Sequence, residues 1–346
     1  MKKHTLAVAI LFLLSAYSLP AQKTPEYKIV NKFHVDGDAG WDLLAKEEGT
    51  DRLFISHGTM VQVLDVKTGK VIGTIPDTKG VHGIALAPDL NKGFTSNGKD
   101  TSVTVFDLKT LSIITKLKVT GINPDVIMYD EFTHRIFCFN ARSNNATVFD
   151  AKTNAVVETI SFEGNPELAV SDGNGKIYVN LEDASKVVVV NANTLKVEKS
   201  WSIAPGEEPS GIALDNKTHR LFSVCGNKLM IVSDVESGKV TANLPIGDRV
   251  DGAAFDPETK RAYSSNGDGT LTVVQEINAD KFVVLENFET QKGARTLALD
   301  AKTHHLYLPT AQYGEKPEAT PENPKPRAKI KEGTFVILDI ETHNPK

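Results

Sequence analysis

The chain has 346 residues, a formal charge of −5, 40% hydrophobic residues and only 7% aromatic ones. That length is ample for a large buried core. The mildly acidic balance argues against a non-specific nucleic-acid binder, which needs a basic face.

Residues 1–21 read as a secretory signal. Lys2 and Lys3 make a basic start, and residues 6–14 form an apolar run too short to span a bilayer. Cleavage is expected between Ser18 and Gln22. No cysteine follows to carry a lipid anchor, and loss of Lys2 and Lys3 takes the charge from −5 to −7. The reading is an exported, periplasmic or secreted chain with no membrane span.

Residues 27–35 alternate like a strand with no partner upstream. One four-strand sentence then repeats seven times, starting at Asp42, His82, Asp125, Glu167, Ser210, Asp251 and Arg295, with spacings of 40, 43, 42, 43, 41 and 44 residues. A period of this size with four strands per unit is the signature of an all-β, seven-bladed propeller of four-stranded antiparallel blades. Residues 22–346 are therefore read as one domain.

Turn chemistry holds the same frame. Asp130, Asp172, Asp215, Asp256 and Asp300 each stand five residues after their repeat's first position, and Thr133, Thr218, Thr259 and Thr303 follow three residues later. Asp65, Asp107, Asp150, Asn191 and Asp234 mark a second turn, each with Thr or Ser three residues on. Asp or Asn at the start of a tight turn bonds the backbone ahead of it.

The seventh repeat supplies only three strands before the chain ends, so residues 27–35 are predicted to fill the vacancy and close the ring. Between its second and third strands lies a charged insertion, residues 313–331, whose Pro317, Pro321, Pro324 and Pro326 forbid a regular strand. It reads as a proline-rich loop, with a lid over the channel as the other reading. Cys138 and Cys225 fall in repeats three and five, which are not neighbours in a ring, so no disulfide is expected between them. Cys138 reads as a core filler. Cys225 falls in a turn, where exposure is expected.

Residues 94–98 (FTSNG), 178–180 (YVN) and 263–267 (YSSNG), with strands such as 103–110 (VTVFDLKT), resemble the YVTN-type, YncE-like β-propeller family. The resemblance covers nearly the whole chain after residue 21. It implies a secreted or periplasmic seven-bladed propeller with a binding or scaffolding role. Related propellers include lactonases, streptogramin lyases and haem-binding domains of nitrite reductases. Trp41-Asp42 is not the WD-repeat signature, because it opens a first strand and does not end a third.

In a propeller the first strand of each blade lines the central channel. The first-position column is then a ring of Asp42, His82, Asp125, Glu167, Ser210, Asp251 and Arg295, six of them ionisable. Companion turns are expected to bring Ser56, His57, Asn97, Asn140, Arg142, Asn180, Glu182, Asn227, Asn266, Asp268, Gln312 and Tyr313 to the same face. Four carboxylates on one mouth raise the local potential for positive groups. The first functional reading is a binding or scaffold protein, monomeric, that takes a small ligand or a protein at this mouth.

The alternative is a metal-assisted lyase or lactonase with His82 and Glu167 as acid and base. A divalent metal would draw on Asp42, His57, His82 and Asp125. His57 or His82 could also serve as an axial haem ligand, while the absence of C-x-x-C-H excludes covalent haem. No nucleophile elbow and no phosphate-binding glycine loop is present. His134, His219, His304 and His305 fall in or beside first-hairpin turns on the opposite face and read as surface residues.

Overall fold

The computed structural model describes residues 26–37, 40–320, 324, 326 and 328–343; the predicted signal, residues 1–21, lies outside them. Among the described residues, twenty-eight strands form seven four-stranded antiparallel sheets. Within a blade the strands follow chain order from the channel outward. The last blade is the exception, because its outer place is taken by the first strand of the chain, Glu26–His34. That strand pairs antiparallel with Val336–His343, from Glu26 opposite His343 to His34 opposite Val336. The predicted closure is thus observed. At the channel wall Thr296 donates to the Asp42 carbonyl at 2.7 Å, tying blade seven to blade one.

The core is seven apolar clusters, one at each blade–blade seam. Phe94, Ile127, Cys138 and Phe149 fill the seam of blades two and three. Tyr178, Ile212, Leu221 and Cys225 fill that of four and five. Middle strands are buried on both faces, as sheets sandwiched between others must be. Both cysteines are free thiols within these seams. The expectation for Cys225 is corrected: it ends the second strand of its blade, is fully buried, and burial pushes its thiol up to about 12.

The turn columns form as read. Asp130, Asp215, Asp256 and Asp300 accept from backbone N–H groups two or three residues ahead, and so do Asp65, Asp107, Asp150, Asn191 and Asp234. One residue beyond the Thr, the first-hairpin turn needs a left-handed residue. That is where His134, His219 and His304 stand, with φ of 52°, 57° and 62°, in a conformation His tolerates better than most. They are turn residues, as read, but His304 and its neighbour His305 are only half-exposed. Each is bound to a buried carboxylate, His304 to Asp256 at 2.7 Å and His305 to Asp339 at 2.6 Å.

Candidate functional site: the charged channel mouth

Six of the seven inner strands carry a β-bulge at the ring position. The register slips between Trp41 and Leu44, Val81 and Ile84, Pro124 and Ile127, Pro166 and Ala169, Pro209 and Ile212, and Val250 and Gly252. A bulge re-aims a side chain that regular pleating would turn into the sheet. Here it turns Asp42, His82, Asp125, Glu167, Ser210 and Asp251 into the channel. Arg295 precedes its strand and joins them from the loop. All seven line one cavity of about 480 Å³.

Small residues let the inner strands approach. A Cβ on Gly211 would lie 2.6 Å from the Ala253 nitrogen of the next blade, and one on Gly83 would lie 3.0 Å from the Asp125 carbonyl. Ser96 donates to that carbonyl and accepts from Gly83 N–H at 2.8 Å, pinning the wall between His82 and Asp125.

Around the ring the groups form a chain of contacts. His82 Nδ1 lies 2.7 Å from Asp42 Oδ2 and 3.5 Å from Asp125 Oδ1. Arg295 reaches Asp42 Oδ1 at 3.3 Å and holds Asp251 with its other nitrogen. Ser210 donates to Asp251 at 2.7 Å. Glu167 stands outside this chain and accepts only from Asn165 Nδ2 at 3.3 Å. Among the described residues no cation pairs with it.

The electrostatics follow. Burial, with the Asp125, Glu182, Asp251 and Asp42 charges, pushes Glu167 up to about 9. Burial raises Asp125 to about 6 although His82 pulls it down. Burial also raises Asp251, against the pull of Arg295. At His82 burial disfavours the charge, but the Asp42 hydrogen bond and the Asp125 charge outweigh it, and its pKa is raised.

Glu182, Glu208 and Asp248 also line the cavity, along with Arg249. Glu182 was expected there. Glu208 and Arg249 were not; both sit in left-handed backbone, with φ of 51° and 57°, just before inner strands. Reach from such loops is not written in residue type, although an ionisable residue just before an inner strand would have been the place to look.

Several companion residues are placed elsewhere. His57 is 2% exposed, with Nδ1 2.5 Å from Gln62 Oε1 and its ring 4.4 Å from Phe335. It belongs to the seam of blades seven and one, outside the cavity, and is withdrawn as metal or haem ligand. Asn97, Asn140 and Asn266 are fully buried and donate to Thr104, Thr147 and Thr272 on the next strand. Asn180 donates to the Ser210 and Gly211 carbonyls of the next blade. These four hold the walls and do not line the mouth. Their signal was a Thr six or seven residues downstream in three of the four cases. Arg142 is exposed on a short 3-10 turn, Ala141–Ser143, away from the cavity.

Tyr313 is 42% exposed, with its ring 6.2 Å from Trp41. It starts the proline-rich insertion, whose stem is closed by a Tyr313–Ile330 bridge and by hydrogen bonds from Gly314 to Lys329 and from Lys331 to Gln312. Burial raises the pKa of its hydroxyl against the pull of the Arg295 and Arg249 charges, so the stem stands beside the mouth.

Fold and mouth together define a seven-bladed β-propeller with an acidic channel entrance. The fold is shared with a chain of the Kuenenia stuttgartiensis hydrazine synthase structure, at TM-score 0.68 and 19% identity over 80% of this chain and 94% of that one. It is shared too with a chain of the mitotic checkpoint complex, at TM-score 0.73 and 12% identity over 88% and 95%. The RRP9 WD40 repeats match at TM-score 0.74 and 11% identity over 90% and 97%. At these identities the likeness is one of fold alone. In sequence, the chain is 24% identical over 218 residues to Antigen Lp49 of Leptospira interrogans serogroup Icterohaemorrhagiae serovar copenhageni (strain Fiocruz L1-130); the match spans 59% of this chain and 48% of that protein. The chain thus spans about half the length of this relative. No protein-family model matches, so the YVTN-type resemblance rests on its motifs. Among the described residues no helix is long and apolar enough to cross a membrane.

Proposed function

We propose that this propeller is an exported binding protein, of the YVTN-repeat type, whose channel mouth receives a positively charged group from a small ligand or a protein partner. One observation carries the reading. The mouth gathers Asp42, Asp125, Glu167, Glu182, Glu208, Asp248 and Asp251 against His82, Arg249 and Arg295, and burial among the neighbouring carboxylates pushes Glu167 up to about 9, a cost that a bound cation would relieve. Such a cleft focuses the field on cations. Propellers commonly serve as binding scaffolds, and the signal-like residues 1–21 support export. Because the chain's own first strand closes the ring, the protein is read as a monomer.

Labelled tetralysine and tetraglutamate peptides test this. Tetralysine is expected to bind, to weaken with salt, and to lose at least tenfold in affinity in the double variant Glu167→Gln, Glu182→Gln. Equal binding of the two peptides, or tetralysine binding that ignores the double variant, would sink the proposal.

The second reading, a metal-assisted lyase or lactonase using His82 and Glu167 as an acid–base pair, draws support from their place in one cavity; the proton Glu167 retains near neutrality fits it for the acid's role. Chelator-sensitive turnover would favour it.

A further inference from the structure

The mouth is not uniform in what it offers a cation. On one side, three adjacent blades present an imidazole and two carboxylates: Asp42, His82 and Asp125 each place one donor atom within 4.8 Å of the other two. On the other side Arg295 occupies Asp251. A tetrahedral ion with bonds of about 2.0–2.2 Å holds its donors about 3.4 Å apart. His82 Nδ1 already lies 2.7 Å from one carboxylate and 3.5 Å from the other.

The backbone beneath these donors is fixed. Asp42 N–H donates to Ser56 Oγ at 2.9 Å. Ser96 links the strand of His82 to the strand of Asp125. Gly83 leaves no Cβ to hold those strands apart. Side-chain rotations would bring the three donors, now within 4.8 Å of one another, toward the roughly 3.4 Å spacing of a coordination set. The remaining positions would face the cavity, where a ligand atom could complete them.

We propose that Asp42, His82 and Asp125 bind one divalent transition-metal ion at the channel mouth, with open coordination positions directed into the cavity. This rests on the reading of the mouth as a cation site and names the cation. Two carboxylates neutralise the ion's charge, and the imidazole selects the chemistry. A mixed nitrogen–oxygen set of three suits Zn²⁺, Mn²⁺ or Co²⁺, whereas Ca²⁺ wants six to eight oxygens and Mg²⁺ a near-octahedral shell of them. The ion would take the place between the carboxylates that the imidazole N–H fills now.

The test uses the full chain after chelator treatment and dialysis. Calorimetric titration with Zn²⁺ and Mn²⁺ is expected to show one ion per chain, and with Mg²⁺ and Ca²⁺ at least tenfold weaker binding. Co²⁺ added to the unsubstituted protein is expected to give visible absorption bands of a nitrogen–oxygen site, a readout that needs no variant to fold. His82→Gln and Asp125→Asn are expected to weaken Zn²⁺ at least tenfold each. His134→Gln, on the opposite face beside Asp89, is expected to leave it unchanged. Absence of a bound ion, or Zn²⁺ binding that survives His82→Gln and falls with His134→Gln, overturns the proposal. If tetralysine binds but no transition ion does, this proposal falls while the broader reading of the mouth stands. Failure of both probes removes both.

Discussion

At the far end of the inner strands, Asp130, Asp256 and Asp300 accept from their own turns and also find a partner on the next blade. Ser171 donates to Asp130 at 2.7 Å, His304 meets Asp256 at 2.7 Å, and Lys46 meets Asp300 at 3.0 Å. At the mouth, five residues earlier in each repeat, the ring carries carboxylates that the chain's own cations do not balance, and Glu167 has none at all. Both rows are rich in acids, recur from blade to blade and lie in the same frame. The difference shows what separates a structural carboxylate from one available to a ligand: local donors at fixed spacing satisfy the first, while the second lacks them and sits among like groups at an opening.

The far end contains one exception that sharpens this contrast. Glu276 stands where sister blades bury Leu108, Ala151, Ala192 and Val235. Its backbone donates to the Lys260 carbonyl as theirs do to Asn91, His134, Gly175 and His219. It is 2% exposed and faces Asp215, itself 5% exposed. Burial raises its pKa and the Asp215 charge raises it further, while Thr218 donates to Asp215 at 2.7 Å.

The largest expected effect is at the mouth. Arg295→Met leaves Asp42 and the buried Asp251 without their shared cation; with the Arg295 side chain 46% exposed, the cost should be about 2–3 kcal/mol in urea unfolding near pH 7. A loss of under about 1 kcal/mol, typical of an exposed pair, would mean that the ring is an ordinary solvated surface.

Next comes Glu276→Val, which should stabilise the fold by about 1–3 kcal/mol at pH 8. The folded carboxyl lies above its unfolded value, so the wild type is most stable below the unfolded carboxylate range and loses stability as pH rises toward the folded value. The advantage of Glu276→Val should therefore grow from pH 4 upward in thermal melts. A pH-independent difference would contradict the buried like-charge pairing.

Much of this was legible because the sequence states each structural position seven times. The Asp and Thr turn columns, the missing fourth strand of the last repeat and all seven ring residues could be read by comparing the copies. His57 and the four asparagines could not be placed. They sit at or beside the ends of second strands, and whether such a side chain enters the channel or the wall depends on a partner such as Gln62 or Thr104 on the following strand. Glu208 and Arg249 reach the mouth through left-handed loop residues, which carry no compositional mark. Nor does the alphabet show which carboxylates lack a counter-charge. That is a property of the closed ring, where Asp42 meets Arg295 across 253 residues of sequence.

The last effect bears most directly on the central claim, that the mouth holds carboxyl groups which ionise for a cationic partner. Glu167→Gln removes a carboxyl held at about 9, so melting between pH 5 and 9 should show a stabilisation that grows with pH, because over that range the unfolded wild type is ionised here and the folded one is not. In the same samples tetralysine affinity should fall. Stability rising while binding falls is the predicted result. A variant that loses stability, or that gains stability and binds tetralysine as well as the parent, would contradict the account.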